Sequence, residues 1–219
     1  MEITNLSLPE PFKKQYGKFN TLTPIQEKSI NAGLLEGKSL LACAPTASGK
    51  TLIATMAIYN TLYRALGKGK AIYLVPLKAL GMEKYKEYHN VFRDSEYKVG
   101  LSTGDVDSES DYLAKYDILI LTTEKLDSLL RHKVSWLSEV KVVIVDEIHL
   151  LNDASRGPTL EIILTLLKNL IKPQIIGLSA TIGNPKELAE WLEATLVIDE
   201  WRPVELKKGI YAEGKVEYY

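Results

Sequence analysis

The sequence has a single cysteine, Cys43, among 219 residues, so no internal disulfide can form. That usage suits a reducing compartment, and a cytoplasmic, intracellular location is expected. No apolar run approaches the roughly 18 residues that a helical membrane span needs, so no membrane partner is expected. The opening stretch MEITNLSLPEPF lacks a basic start followed by an apolar core, and no secretory signal is read there. An excess of positive charge is missing too: 27 Lys and Arg against 28 Asp and Glu give a formal net charge of -1. A chain of that charge does not grip a polynucleotide by bulk attraction, so any such contact must come from local donors or from further domains. Internal repeats, low-complexity tracts and long linkers are also lacking.

What is present reads as one well-cored α/β domain. Hydrophobic residues make up 46% and charged residues 25%, ordinary for a globular chain. Five short apolar runs have the near-continuous character of parallel strands covered on both faces: Ser39–Cys43, Ala71–Val75, Asp117–Leu121, Lys141–Val145 and Gln174–Leu178. Helical patterns separate them, over Pro24–Glu36, Lys50–Leu66, Lys78–Phe92, Glu124–Arg131 and Leu160–Ile171. Another helix opens at Asn184-Pro185-Lys186-Glu187, where Asn184 is placed to cap and Glu187 holds the capping-box position. Alternating strands and helices predict a doubly wound, mostly parallel sheet, whose ligands bind at the carboxyl ends of the strands. The expected division is a lobe over 1–200 and an exit segment over 201–219.

The stretch APTASGKT, Ala44 to Thr51, follows the first of these strands and opens a helix, the context of a phosphate-binding loop. Ala44 stands where the strict pattern has its first glycine. In such a loop the backbone N–H groups of Ala44, Pro45 excepted, and of Thr46, Ala47, Ser48 and Gly49 face phosphate oxygens. Gly49 permits close approach, Lys50 reaches the β- and γ-phosphates, and Thr51 offers a hydroxyl to Mg²⁺. A second element, VVIVDEIH, puts Asp146 and Glu147 at the end of an apolar strand. Asp146 is expected to hold Mg²⁺ through water, and Glu147 to activate an attacking water. ATP and Mg²⁺ are the expected cofactor pair, with Lys50, Asp146 and Glu147 as the catalytic set.

The ordered series LTPIQ, APTASGKT, VPLKAL, STGD, TTEK, DEIH, RGPTLE, LSATIGN and WRPV covers nearly the whole chain. In that order it resembles the first RecA-like motor lobe of superfamily-two helicases, most of all the superkiller-like group with its archaeal fork-processing DNA helicases. The resemblance implies several roles. Gln26 of TPIQ would read adenine; it is equally placed to close a capping box with Thr23. Phe19 would stack on the base or belong to the core. Lys78 of VPLKAL, Thr103 of STGD and Thr123 and Lys125 of TTEK would contact the nucleic-acid backbone, although a solvated lysine, a plain turn and a helix cap fit them too. Ser179 and Thr181 of LSATIGN would couple nucleotide to polynucleotide, with His149 as partner. Arg156 would pair with Asp153 or with an acid of the site.

The same resemblance implies a second motor lobe carrying arginine fingers, of which this sequence has no segment. The expected function is therefore the ATP-binding lobe of a DNA helicase moving 3′ to 5′ on single strands, weakly active by itself. An RNA helicase lobe, or a nucleotide-dependent switch that does not translocate, are the alternatives. A small-molecule kinase would leave TTEK and SAT unexplained.

Overall fold

The computed structural model describes every residue except 20, 105–109, 206, 213 and 219. Seven parallel strands form one sheet in the order β3-β4-β2-β5-β6-β1-β7. They are β1 (Leu40–Cys43), β2 (Lys70–Val75), β3 (Val99–Ser102), β4 (Ile118–Thr122), β5 (Val140–Val145), β6 (Gln174–Ser179) and β7 (Thr195–Ile198). The expected doubly wound parallel fold is what the chain adopts.

Side chains alternate between two cores, one on each face, as the two-residue period of a strand demands. Leu40, Ala42, Ala71, Tyr73 and Val75 join the core beneath α1 (Glu10–Tyr16), α2 (Pro24–Asn31), α3 (Lys50–Arg64) and α4 (Lys78–Val91). Leu41, Cys43, Ile72 and Leu74 face the other core, under α5 (Thr123–Arg131), α6 (Gly157–Leu170) and α7 (Pro185–Leu192). Burial on both sides explains why β1, β2, β4 and β6 are uniformly buried and read as unbroken apolar runs.

The departures from expectation have local causes. The helix begun at Pro24 ends at Asn31, because Gly33 takes a left-handed φ of 100° and a tight 3₁₀ turn over Leu34–Glu36 follows. The two edge strands, β3 and β7, are only four residues long and partly exposed, which blurs their pattern. Asn184 precedes α7 without capping it; its side-chain amide donates to Glu187 Oε2 at 3.3 Å instead. Within 201–219 an exposed antiparallel hairpin pairs β8 (Gly209–Ala212) with β9 (Lys215–Tyr218). Among the described residues no helix is long and apolar enough to cross a membrane.

Sheet order decides what meets what. β6 lies between β1 and β5, so the loops leaving those strands sit about two strand spacings, ~10 Å, apart. The exits of β2 and β4 continue the same edge of the sheet.

Candidate active site

The loop after β1 is clamped from two sides. Ala44 N–H donates to the Ser179 carbonyl at 3.2 Å, tying the loop to the end of β6. Thr23 Oγ1 donates to the Ser48 carbonyl at 2.8 Å, and Gln26 Nε2 donates to the Gly49 carbonyl at 2.8 Å. Left-handed backbone occurs at Ala47 (φ 63°) and Gly49 (φ 93°), not at Ala44. Alanine is therefore tolerated where the strict pattern has its first glycine. Gly49 is not replaceable in the same way: a Cβ there would lie 2.3 Å from Gln26 Nε2.

Lys50 arches back over its own loop and donates to the carbonyls of Ala44 at 2.6 Å and Pro45 at 2.8 Å. Burial lowers its pKa, while the charges of Glu147 and then Asp146 act in the opposite sense. Lys50 follows β1 and the two acids follow β5, so all three lie at the carboxyl edge of the sheet. Asp146 Oδ2 accepts from the Tyr73 hydroxyl at 2.8 Å and Oδ1 from the Glu147 N–H at 3.1 Å. Glu147 holds a left-handed φ of 51°, a strained state for a non-glycine residue that turns the chain sharply after β5. Its Oε2 lies 3.3 Å from His149 Nδ1, without forming a hydrogen bond.

Among the described residues, the buried side-chain polar atoms lacking a hydrogen-bond partner are Ser48 Oγ, Thr122 Oγ1, His149 Nδ1 and Ser179 Oγ. Each lies in one of the motifs at the carboxyl edge. Buried polar atoms ordinarily find partners, and these four lie along the edge where ligands of such sheets bind. The donors also suit a hard cation. The Thr51 hydroxyl and the Asp146 carboxylate are both oxygens, and no cluster of three His, Cys, Asp or Glu among the described residues is placed to hold a metal alone. Two protein oxygens, with the remainder from phosphate and water, is how magnesium is commonly held.

A cleft of about 320 Å³ adjoins the loop, lined by Tyr16, Phe19, Thr23, Gln26, Gly49, Thr51, Thr55 and Glu87 among others. Phe19 is 53% exposed at its rim, with its ring 6.4 Å from that of Tyr16. The carboxamide of Gln26 is already engaged, since Oε1 accepts from the Thr23 N–H at 2.9 Å, the capping arrangement. The side chain is buried but lines this cleft.

Other expected residues are placed differently from one another. Lys78 is exposed at the start of α4, and Thr103 is half-buried after β3. Asp105 of STGD lies outside the described residues. Thr123 is the first helical residue of α5, so the cap position belongs to Thr122, one residue earlier. Lys125 is 3% exposed, on the inward face of α5 beside Leu126 and Leu129. His149 turns to Glu147 and makes no hydrogen bond to Ser179 or Thr181. Asp153 Oδ1 accepts from the backbone N–H of Arg156 at 3.0 Å and of Ser155 at 2.9 Å; it is the main chain of Arg156, not the guanidinium, that it holds. That arginine instead lines a small recess with Thr123, Asp146 and Glu147. Sequence reasoning missed Tyr73, Lys84 and Glu87, because they sit inside a core strand and a helix and carry no motif.

A parallel sheet in this order, with a phosphate-loop sequence after β1 and paired acids after β5, defines a RecA-like motor lobe. The chain belongs to the DEAD/DEAH box helicase family, whose model matches residues 23–188. It is 54% identical over 202 residues to the ATP-dependent DNA helicase Hel308 of Methanococcus vannielii, covering 90% of this chain and 26% of that protein. The Pyrococcus horikoshii Hel308 is 50% identical over 218 residues, covering 99% of this chain and 30% of that protein. The chain thus spans under a third of the length of these relatives. Among solved structures, the DUF1998 helicase MrfA bound to DNA superposes with a TM-score of 0.76 at 25% identity, covering 88% of this chain and 29% of that one. MrfA bound to DNA and AMPPNP gives 0.75 at 25% identity, covering 87% and 29%.

Proposed function

We propose that this chain is the ATP-binding lobe of an ATP-dependent DNA helicase, hydrolysing ATP to move along single-stranded DNA. The observation that carries it is the placement of Lys50, opening the helix after β1, and of Asp146 and Glu147, just past β5, at the carboxyl edge of one parallel sheet in which only β6 separates those strands. Relatives named as DNA helicases favour DNA over RNA, and the AMPPNP-bound neighbour favours ATP. Residues 1–200 form the lobe, and 201–219 lead toward a second lobe.

The roles follow from position. The base enters the cleft beside Phe19 and Tyr16, where the side chain of Gln26 meets it. The triphosphate lies along the backbone of residues 44–51, and Lys50 exchanges its two loop carbonyls for phosphate oxygens. Thr51 and Asp146 hold magnesium, which when bound offsets the phosphate charge. Glu147 orients the attacking water and takes its proton. Its contact with His149, which neighbours Ile182 in a cleft beside α7, passes the state of the site toward Ser179 and Thr181. Lys78, Thr103 and Thr123 face the polynucleotide, moving 3′ to 5′. A second lobe supplies arginines worth roughly 10³–10⁵ in rate in related triphosphatases, so this lobe alone hydrolyses slowly.

The test uses the natural full-length protein with Lys50→Ala as control. Fork DNA should stimulate wild-type ATPase activity well above the level with RNA, and Lys50→Ala should bind no nucleotide. Equal stimulation by RNA would move the reading to an RNA helicase, and a Lys50→Ala variant that still binds ATP would remove the site.

A further inference from the structure

Lys84 belongs to none of the motifs read from the sequence, yet it touches the metal-binding corner of the site from the second turn of α4. Its ammonium lies 3.4 Å from Thr51 Oγ1 and 2.9 Å from Glu87 Oε2. It also stands 5.8 Å from the centroid of the Tyr73 ring, whose hydroxyl donates to Asp146. The side chain is only 14% exposed, so this is a built position and not a surface lysine caught in passing. One cation therefore contacts the hydroxyl assigned to magnesium and overlies the ring that holds the carboxylate assigned to the same ion. Its counter-charge, Glu87, lines the adjoining cleft.

A hydroxyl oxygen has two lone pairs. When Thr51 Oγ1 gives one to a dication and the other to an ammonium, two positive charges share one atom, in a corner partly shielded from water. Like charges at such a separation repel appreciably at an intermediate dielectric. Lys84 has three donor hydrogens and a second acceptor already in hand, so it has somewhere to go. We propose that the Lys84–Glu87 pair sets the metal dependence of nucleotide binding: Lys84 competes with magnesium for the Thr51 hydroxyl, and Glu87 is the acceptor to which it withdraws. Lys84 is a positioning residue here, acting through Thr51. This inference rests on the nucleotide-site reading above.

The experiment measures Mn²⁺ binding by electron paramagnetic resonance in the full-length protein saturated with AMPPNP. A fluorescent ATP analogue gives nucleotide affinity with EDTA and with Mg²⁺. Lys84→Met should tighten Mn²⁺ binding by about threefold to tenfold, because the competing charge is gone. Glu87→Gln, at a half-exposed position that threatens the fold less, should weaken it by a similar factor, about threefold or more. The double variant should match Lys84→Met, since Glu87 acts only through the lysine. The proposal is overturned if Lys84→Met leaves Mn²⁺ affinity unchanged. It is overturned equally if Lys84→Met weakens nucleotide binding to the same extent with and without metal, the signature of a phosphate ligand. Lys84→Gln, which keeps a polar stem, repeats the test should the methionine variant unfold. Lys50→Ala separates the two readings: if it binds nucleotide like wild type, the site itself is misassigned; if it does not, a flat Mn²⁺ response in Lys84→Met sinks only the present inference.

Discussion

The Tyr73 hydroxyl donates to Asp146 Oδ2 at 2.8 Å from the adjacent strand, and with the Glu147 N–H it fixes both carboxylate oxygens. Tyr73 is fully buried, and burial, the neighbouring Tyr88 and Asp146 together push its pKa well above the ordinary phenol value. Removing that donor by Tyr73→Phe leaves the ring packed against Tyr88 and frees one oxygen of the acid. We expect the fold to lose about 1.5–3 kcal/mol, as for a hydrogen bond to a charged group, read from denaturant midpoints. Metal-supported ATP hydrolysis by the full-length protein should fall roughly tenfold or more, the usual scale for loss of a residue that orients a metal ligand. An unchanged metal dependence would show that Asp146 needs no orientation.

Gly49 is constrained twice. Its φ of 93° is unfavourable for any residue with a Cβ, and that Cβ would strike Gln26 Nε2 at 2.3 Å. Gly49→Ala should cost about 1–3 kcal/mol and lower nucleotide affinity by more than about tenfold. Gln26→Ala alone should weaken the clamp on the Gly49 carbonyl by about 1 kcal/mol. The double variant separates the causes: relief of the clash recovers part of the loss, while the backbone strain remains. Thermal melts of the four proteins give the coupling directly. Simple additivity would mean that Gln26 does not press on the loop.

Much of this was legible beforehand, and the rest was hidden for physical reasons. The strands β1, β2, β4 and β6 are buried on both faces, β5 is buried apart from Lys141, and all five announce themselves as apolar runs. The edge strands β3 and β7 bury less and were not read. APTASGKT and DEIH fall where strands end, so their position in the fold followed from their neighbours. The choice between two roles for Gln26 could not be made from spacing. Thr23-x-x-Gln26 satisfies a capping box whatever else it does, and only the bond to the Gly49 carbonyl reveals it as a clamp on the loop. Lys125 shows a different limit: a motif after a strand does not say which helix face each residue takes, and the helical turn starting at Thr123 carries this lysine inward beside Leu126. Tyr73 reads as one more core residue of β2, because nothing in sequence says that its hydroxyl emerges beside Asp146.

Glu147 combines a strained backbone with a contact to His149 and is the larger of the two carboxylate influences on Lys50. Glu147→Gln keeps the shape and one acceptor oxygen but cannot take a proton. Nucleotide binding should survive within about threefold, while hydrolysis drops by roughly 10²–10⁴, the range for loss of a general base. Single-turnover hydrolysis in the full-length protein, beside equilibrium binding, distinguishes the two effects. Parallel loss of both would assign Glu147 to binding, not to chemistry.

The last prediction concerns the anchor of the TPIQ helix. Lys28 on α2 pairs with Asp199, just past β7, at 2.7 Å, and also donates to the Ile198 carbonyl at 3.1 Å. Burial tends to raise the Asp199 pKa, but the bond from Lys28, the Trp201 N–H and the lysine charge outweigh it and hold the carboxyl below its ordinary value. A depressed carboxylate pKa stabilises the fold above the unfolded value, about pH 4, and that contribution fades as pH falls through the folded value. Lys28→Met leaves a buried carboxylate with only the Trp201 N–H. Because the lysine is half exposed, the cost at pH 7 should be modest, about 1 kcal/mol. It should shrink as pH falls below about 4 and vanish only once pH has passed below the depressed folded value of the wild type. Urea midpoints at neutral pH and near pH 3 test this, since a cost equal at both would mean that Lys28 contributes through its carbon stem and not through Asp199.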